Sequence, residues 1–488
     1  MLFNSFSFLI FFPFVTLVYF LIPQKIKYLW LLAASYYFYM SWNPKYAILI
    51  LTSTVITFLS GAVIAGVKTK KAKKWAVFAS FSLNLAILFV FKYFYFALDN
   101  LNVLRAMLKM SAYTPKFDII LPVGISFYTF QALSYTADVY RGDVAPEKNF
   151  FKYALFVSFF PQLVAGPIER SKNLLLQVNE EHHFDYFRVR RGLFVMLWGY
   201  FLKLVIADRA AILVNTVYDS LSLFDGAHIA LATVCFAVQI YCDFASYSLI
   251  AIGAAEVMGF RLMQNFKRPY FAVSIADFWR RWHISLSTWF RDYLYIPLGG
   301  NRKGRIRKYI NLMIVFLVSG LWHGASWHFV VWGAIHGVYQ VIEGTTRGVR
   351  TGTLKAMRIN ADNFVYVWIK RITVFVLVCF AWIFFRSPNI TASAEAIGRI
   401  FSDFGNVNFA KMSDFGVDTP NAVVLACAVL VLFAVSLFAD KNNDIAMSFE
   451  KLNFPIRWTA YLLLLFAVLI FGIYGPGFEA SQFIYFQF

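Results

Sequence analysis

Charge is what this sequence has least of. Only 15% of its 488 residues are Asp, Glu, Lys or Arg, against 60% hydrophobic and 20% aromatic, a balance that argues against any ordinary soluble protein, a large multidomain enzyme included. Cysteine is scarcer still. Cys235, Cys242, Cys379 and Cys427 all fall in apolar segments with no CxxC pair, so neither a disulfide framework nor a zinc site is indicated. HExxH and GxSxG are both missing, which removes the zincin motif and the nucleophile elbow of the α/β-hydrolases. There is no internal repeat and no low-complexity tail. The opening MLFNSFSFLIFFPFVTLVYFLI has no basic stretch ahead of its apolar run, and the first cations are Lys25 and Lys27. That order favours a retained first span over a cleavable signal.

What the sequence does have is apolar runs long enough to cross roughly 30 Å of hydrocarbon. They recur near 4–22, 28–43, 45–66, 75–97, 118–137, 192–211, 228–258, 309–323, 327–343, 366–385, 420–439 and 458–474, about twelve in all. Shorter pieces near 150–167 and 269–299 read as re-entrant or interfacial. The fold class expected is therefore an all-α polytopic integral membrane protein of about 11–13 spans. It is read as one membrane-embedded domain, 1–488, with a core over about 118–343 and peripheral helices at 1–100 and 366–488.

The net charge of +19 suggests nucleic acid until its placement is considered. Five lysines crowd VKTKKAKK (67–74); Arg188, Arg190 and Arg191 precede one span, Arg302, Lys303, Arg305, Arg307 and Lys308 another, and Arg347, Arg350, Lys355 and Arg358 follow the next pair. Short basic loops between spans belong on the cytoplasmic side. The more acidic 387–419 loop suits the opposite side, with both termini outside. No nucleic-acid partner is expected; anionic lipid head groups are.

An ionisable group near the bilayer centre is costly and marks function by default. The candidates are His323, His328, His336, Asp243, Lys203, Asp208 and Asp138. Asp138, Lys203 and Asp208 are expected to pair or to reach for a span end. Asp243 lies deep in a long apolar run, where helix packing and substrate contact are equally open readings, and Ala245, Ser246 and Ser248 beside it suit close packing. The histidines do not read as a metal site: His323 and His328 are about 140° apart on a helix, and His336 is about 20 Å from His323. His323 reads better as a general base, a neutral imidazole taking the proton of a hydroxyl that attacks a thioester or ester. Gly324, Ala325 and Ser326 would leave room for a substrate, with Trp322 and Trp327 as walls. The plain alternative is a histidine that only hydrogen-bonds between helices.

Residues 278–301, FWRRWHISLSTWFRDYLYIPLGGN, interleave aromatics with cations around His283. They read either as an interfacial anchor or as a cytoplasmic vestibule in which Arg280, Arg281 and Arg291 meet phosphates of an acyl donor.

FWRRWHISLSTWFRDYLYIPLGGNR (278–302) followed by SGLWHGASWHFVVWGAIHG (319–337) closely resembles the membrane-bound O-acyltransferase family, in the bacterial branch that O-acetylates alginate. LPVGISFYTFQALSYTADVYRG (121–142), FFPQLVAGPIER (159–170), YCDFASYSLIAIG (241–253) and FIYFQF (483–488) extend the likeness over essentially the whole chain. The resemblance implies that His323 is the essential catalytic residue, and that His283 is a second functional position nearer the cytoplasm. It further implies a ring of helices around a thinned central funnel where donor and acceptor meet. Alginate-type members often read DFSGYSDMAIG where this chain has DFASYSLIAIG, so Leu249 stands in place of an acid and the acceptor can differ.

The expected activity is thus O-acyl transfer, most readily acetyl, from acetyl-CoA or another acyl thioester as donor substrate, with no bound cofactor and no metal. His323 and His283 are the expected catalytic pair. Arg280, Arg281, Trp282, Arg291, Trp322, Trp327 and Asp243 are the expected substrate-binding residues. An exported polysaccharide is the expected acceptor, and a separate extracytoplasmic acetyltransferase the expected partner. The location expected is the bacterial cytoplasmic membrane. Two rivals stay open: a transporter without chemistry, and a different acyl transfer, of D-alanine from a carrier protein onto teichoic acid or of a fatty acyl group onto a lipid or protein.

Overall fold

The computed structural model describes every residue except 117, 165, 406–413, 443–448, 476–482 and 484–488. The described residues are helical or irregular, with no strand among them. Each of the twelve apolar runs is helical over most of its length, the run 118–137 only from Ile125 onward. Six meet a strict standard of length and hydropathy for crossing a membrane: Tyr46–Gly66, Lys70–Met107, Gly226–Met258, Phe364–Arg386, Thr419–Phe438 and Phe454–Phe471. The other six runs form helices that are shorter, such as Lys27–Met40, or more polar, such as Trp327–Ala356. The protein is a multi-pass α-helical membrane protein. Large exposed apolar side chains crowd its helices, among them Leu463, Phe466 and Ile470 on Phe454–Phe471, because lipid rather than water is the outer solvent.

Residues 150–167 and 269–299 are broken into short pieces. The first gives Phe150–Ser158 and Phe160–Leu163; the second gives Pro269–Phe271, Ile275–Arg281, Ile284–Phe290 and a π-helical turn, Arg291–Tyr295. None approaches the roughly 20 residues a crossing needs.

The chain divides into two compact units. One comprises Met1–Leu193 with Ile250–Met263, the other Phe194–Leu249 with Gln264–Phe488. At the centre of the first is Ile125–Arg141, buried without interruption from Ile125 to Val139. A helix so enclosed must satisfy its polar side chains internally. Gln131 donates to the Phe156 carbonyl at 2.5 Å, and Asp138 accepts from the Ser171 hydroxyl at 2.8 Å.

In the second unit, Gly304–His323 and Trp327–Ala356 form a tight hairpin. Its close approach depends on Gly333, where a Cβ would stand 2.2 Å from the Phe316 carbonyl oxygen and 3.1 Å from Gly320 Cα. Backbone cannot swing aside as a side chain does, so Gly333→Ala must separate the helices. We expect a loss of at least about 1–3 kcal/mol, read as a lower thermal midpoint of the detergent-solubilised protein.

The same unit buries a triad of paired charges. Lys203, in the π-helical stretch Phe201–Ala207, contacts Asp243 at 2.6 Å and Asp208 at 2.9 Å. The expected pairing is present, and it forms in the interior rather than at a span end: Lys203 is 1%, Asp208 2% and Asp243 3% exposed. Phe201, Leu202, Val205, Ile206, Cys242 and Ala245 surround the triad with apolar surface. The four cysteines are unbridged.

Candidate active site

The two motifs that carry His283 and His323 are forty residues apart in the sequence and adjacent in the second unit. The helix Ile275–Arg281 begins at Ser274, whose hydroxyl accepts the Asp277 N–H at 3.0 Å. Glu343, reaching in from Trp327–Ala356, accepts the Ile275 N–H at 2.8 Å, so a carboxylate completes this helix's positive end. The helix stops where the Trp282 N–H closes on the Phe278 carbonyl at 2.8 Å. His283 then adopts φ 44°, ψ 54°, a left-handed conformation uncommon for any residue but glycine, and the chain re-enters helix as Ile284–Phe290. Such strain, about 1–3 kcal/mol, persists where the surroundings over-determine it and clusters at functional sites.

His323 is the last residue of Gly304–His323. Its ring centroid lies 6.3 Å from that of His283, the planes at 81°. Trp322 touches both, at 5.0 Å from His323 and 5.9 Å from His283. Trp332 and Phe385 close on His323 at 4.8 and 5.8 Å, and Phe244 meets His283 edge to face at 4.6 Å. His283 is 0% and His323 2% exposed. The two imidazoles form one buried pair walled by aromatic rings.

Hydrogen bonding settles which nitrogen of each neutral ring is basic. His323 Nδ1 lies 2.6 Å from the Ser319 carbonyl oxygen, which only accepts, so Nδ1 carries the proton and Nε2 the lone pair. His283 Nδ1 lies 3.1 Å from Asn265 Oδ1. The same oxygen accepts the Ser285 backbone N–H at 3.3 Å, which identifies it as the carbonyl end of the amide. His283 therefore also keeps its proton on Nδ1. Both rings thus present Nε2 as the acceptor, the form that a general base requires.

The other expected residues are distributed unevenly. Trp282 is fully buried and stacks on Phe278 with centroids 5.5 Å apart, one residue behind His283. Trp322 is in the wall, as expected, but Trp327 is 52% exposed and Trp332 occupies that part of the wall instead. Nor is there room beside Gly324, since a Cβ there would stand 2.1 Å from the Phe329 ring; that space is filled by protein. Arg281 bonds Asp277 at 2.9 Å and Arg291 bonds Asp292 at 2.8 Å, while Arg280 lies 3.7 Å from Asp277 with its side chain 73% exposed. Arg280 and Arg291 are exposed and Arg281 is half-buried, and each is paired with an acid of its own short segment. Asp243 is held by Lys203 at 2.6 Å. His328 Nδ1 faces the Phe384 carbonyl at 2.9 Å. His336 accepts the Trp279 indole N–H at 3.3 Å, the opposite tautomer to His323, and this suits the structural or lining role expected of both. Of FIYFQF, Phe483 packs tilted against Tyr247 at 4.4 Å and against Phe244 at 5.5 Å; residues 484–488 lie outside the described residues.

Asn265, Trp332 and Glu343 are the functional neighbours that sequence reasoning missed. A lone Asn in QNFKRP carries no distinctive spacing, and nothing local separates Trp332 from Trp327.

Comparison with known proteins agrees with the geometry. The family model described as MBOAT, membrane-bound O-acyltransferase family, matches residues 144–384, which include both histidines. A protein of Pseudomonas putida named "Probable alginate O-acetylase AlgI" is 36% identical over 508 aligned residues spanning all of both chains. The "Peptidoglycan O-acetyltransferase" of Helicobacter pylori is 33% identical, covering 76% of this chain and 72% of its own. The "Teichoic acid D-alanyltransferase" of Bacillus subtilis is 26% identical over 46% of this chain and 59% of its own. With likeness to the first running end to end, the chain belongs to the membrane-bound O-acyltransferase family and is an O-acyltransferase of the multi-pass membrane type.

Proposed function

We propose that this enzyme transfers an acetyl group from a cytoplasmic thioester, acetyl-CoA, toward the extracytoplasmic side for O-acetylation of an exported cell-surface polysaccharide. The observation that carries the chemistry is the buried imidazole pair with both Nδ1 atoms held by carbonyl oxygens. His323 Nε2 takes the proton of the attacking hydroxyl as its oxygen bonds to the thioester carbonyl carbon. The C–S bond then breaks, and the proton passes to the departing thiolate, so an ester and a free thiol leave with no net proton change. His283, across 6.3 Å of the pair, serves the donor side.

Arg280, Arg281 and Arg291 supply a cationic approach for donor phosphates. Arg280 and Arg291 are exposed, and their pairings with Asp277 and Asp292 are each worth about 0–1 kcal/mol, weak enough for a phosphate to displace. The acetyl assignment draws on the acetylase and acetyltransferase names of the more similar relatives. The short basic loops support a cytoplasmic-membrane location with the donor on their side. A separate extracytoplasmic transferase completes delivery to the polysaccharide in this reading.

The test is the O-acetyl content of extracytoplasmic polysaccharide in a deletion strain of the native host, with and without the wild-type gene. Acetylation should fall to background on deletion and return with the gene. Unchanged acetylation would overturn the acceptor and the acyl group together. Inverted membrane vesicles given acetyl-CoA or a carrier-bound D-alanyl thioester then decide the donor: thiol release should follow acetyl-CoA, and release from the D-alanyl thioester alone would transfer the assignment to D-alanylation.

A further inference from the structure

We infer that Asn265 is a positioning residue that holds His283 in its proton-accepting form. Asn265 is 1% exposed and grips the turn around His283 from both sides. Its backbone carbonyl accepts the Ile284 N–H at 2.9 Å. Its side-chain oxygen accepts from His283 Nδ1 at 3.1 Å, from the Ser285 hydroxyl at 2.9 Å and from the Ser285 N–H at 3.3 Å. Its amide nitrogen donates to the Ser248 hydroxyl at 3.1 Å. Every polar atom of the side chain is thereby used, and the amide cannot flip without setting its NH₂ against a backbone N–H.

Two consequences follow. The left-handed backbone at His283 is pinned by bonds to the next two residues, and the ring is left with Nε2 as its only acceptor. His283 also touches Phe244, Trp322 and His323, and the Asn265 oxygen, an acceptor only, fixes the tautomer by holding the proton on Nδ1. Ser248 lies on Gly226–Met258 four residues after Phe244, and that helix therefore supports both the ring face and the amide.

This inference rests on the proposed acid–base role of the pair, and the test separates the two. Thioester-dependent transfer is measured against pH in inverted vesicles carrying the full-length chain. The variants are Asn265→Leu, Asn265→Asp, His283→Gln and the Asn265→Leu/His283→Gln double variant. Asn265→Leu should cut kcat 10- to 100-fold, and the double variant should be no slower than His283→Gln alone. Asn265→Asp keeps the acceptor and adds a negative charge, so it should retain more activity than Asn265→Leu, with the acidic limb of its pH profile moved to higher pH. Losses that multiply in the double variant, or an Asn265→Asp profile that coincides with wild type, would overturn the positioning role while leaving the acyl-transfer reading intact. A His283→Gln enzyme with full activity would instead remove the role of His283 itself. If Asn265→Leu yields no folded protein, Asn265→Asp alone still decides by its pH profile.

Discussion

His323→Gln should lower acyl transfer by about 100- to 10,000-fold, the range that a lost general base costs, while leaving the fold intact. Glutamine can reach the Ser319 carbonyl with its amide N–H, as His323 Nδ1 does at 2.6 Å, and its volume suits the cage of Trp322, Trp332 and Phe385. It lacks a basic nitrogen. The measurement is polysaccharide O-acetylation in the complemented deletion strain at matched membrane levels, together with the thermal midpoint of the purified variant. A variant equal to wild type in acetylation would show that His323 only hydrogen-bonds there and that the general base of the transfer lies elsewhere. His328→Gln serves as a comparison: its ring bonds the Phe384 carbonyl rather than facing the pair, a bond that a glutamine amide N–H can also make, so transfer should change far less than in His323→Gln.

Lys203→Met should be the most destabilising substitution in the second unit. It leaves Asp208 and Asp243, 2% and 3% exposed, without the cation that both contact, and breaking a buried ion pair from one side costs about 3–5 kcal/mol. Little folded protein should be recovered, and the remainder should melt well below wild type. The triple change Lys203→Met, Asp208→Asn, Asp243→Asn should restore much of the loss, because an apolar or neutral replacement of a whole buried ion cluster is often tolerated. The triple variant also separates two uses of Asp243. A folded, active triple variant makes the triad a packing device; a folded but inactive one gives Asp243 a part in the reaction. Stability unchanged in Lys203→Met would mean the two carboxylates never needed the lysine.

The membrane assignment was legible from composition alone, because apolar runs of this length have few other solvents. The unusual setting of His283 and His323 was legible too, since SGLWHGASWH and FWRRWH place ionisable rings among aromatics where leucine would ordinarily stand. The tryptophan wall was only half legible. Trp327 and Trp332 are five residues apart, about 140° around the helix, so only one can face His323. The choice depends on how the hairpin rolls about Gly333, a contact between chain segments that no local pattern records.

The sequence by itself determined the solvent, the helical character, the family and which side chains stand as candidates for the chemistry, because each of these follows from composition or from residues adjacent in the chain. Tertiary structure alone decided what brings them into use. It set His283 against His323 and placed Asn265 beneath the His283 ring. It also buried Lys203 between Asp208 and Asp243, and filled the space beside Gly324 with Phe329. Those outcomes depend on the relative rotation and register of helices distant in sequence, and side-chain packing at native density, not local propensity, selects them.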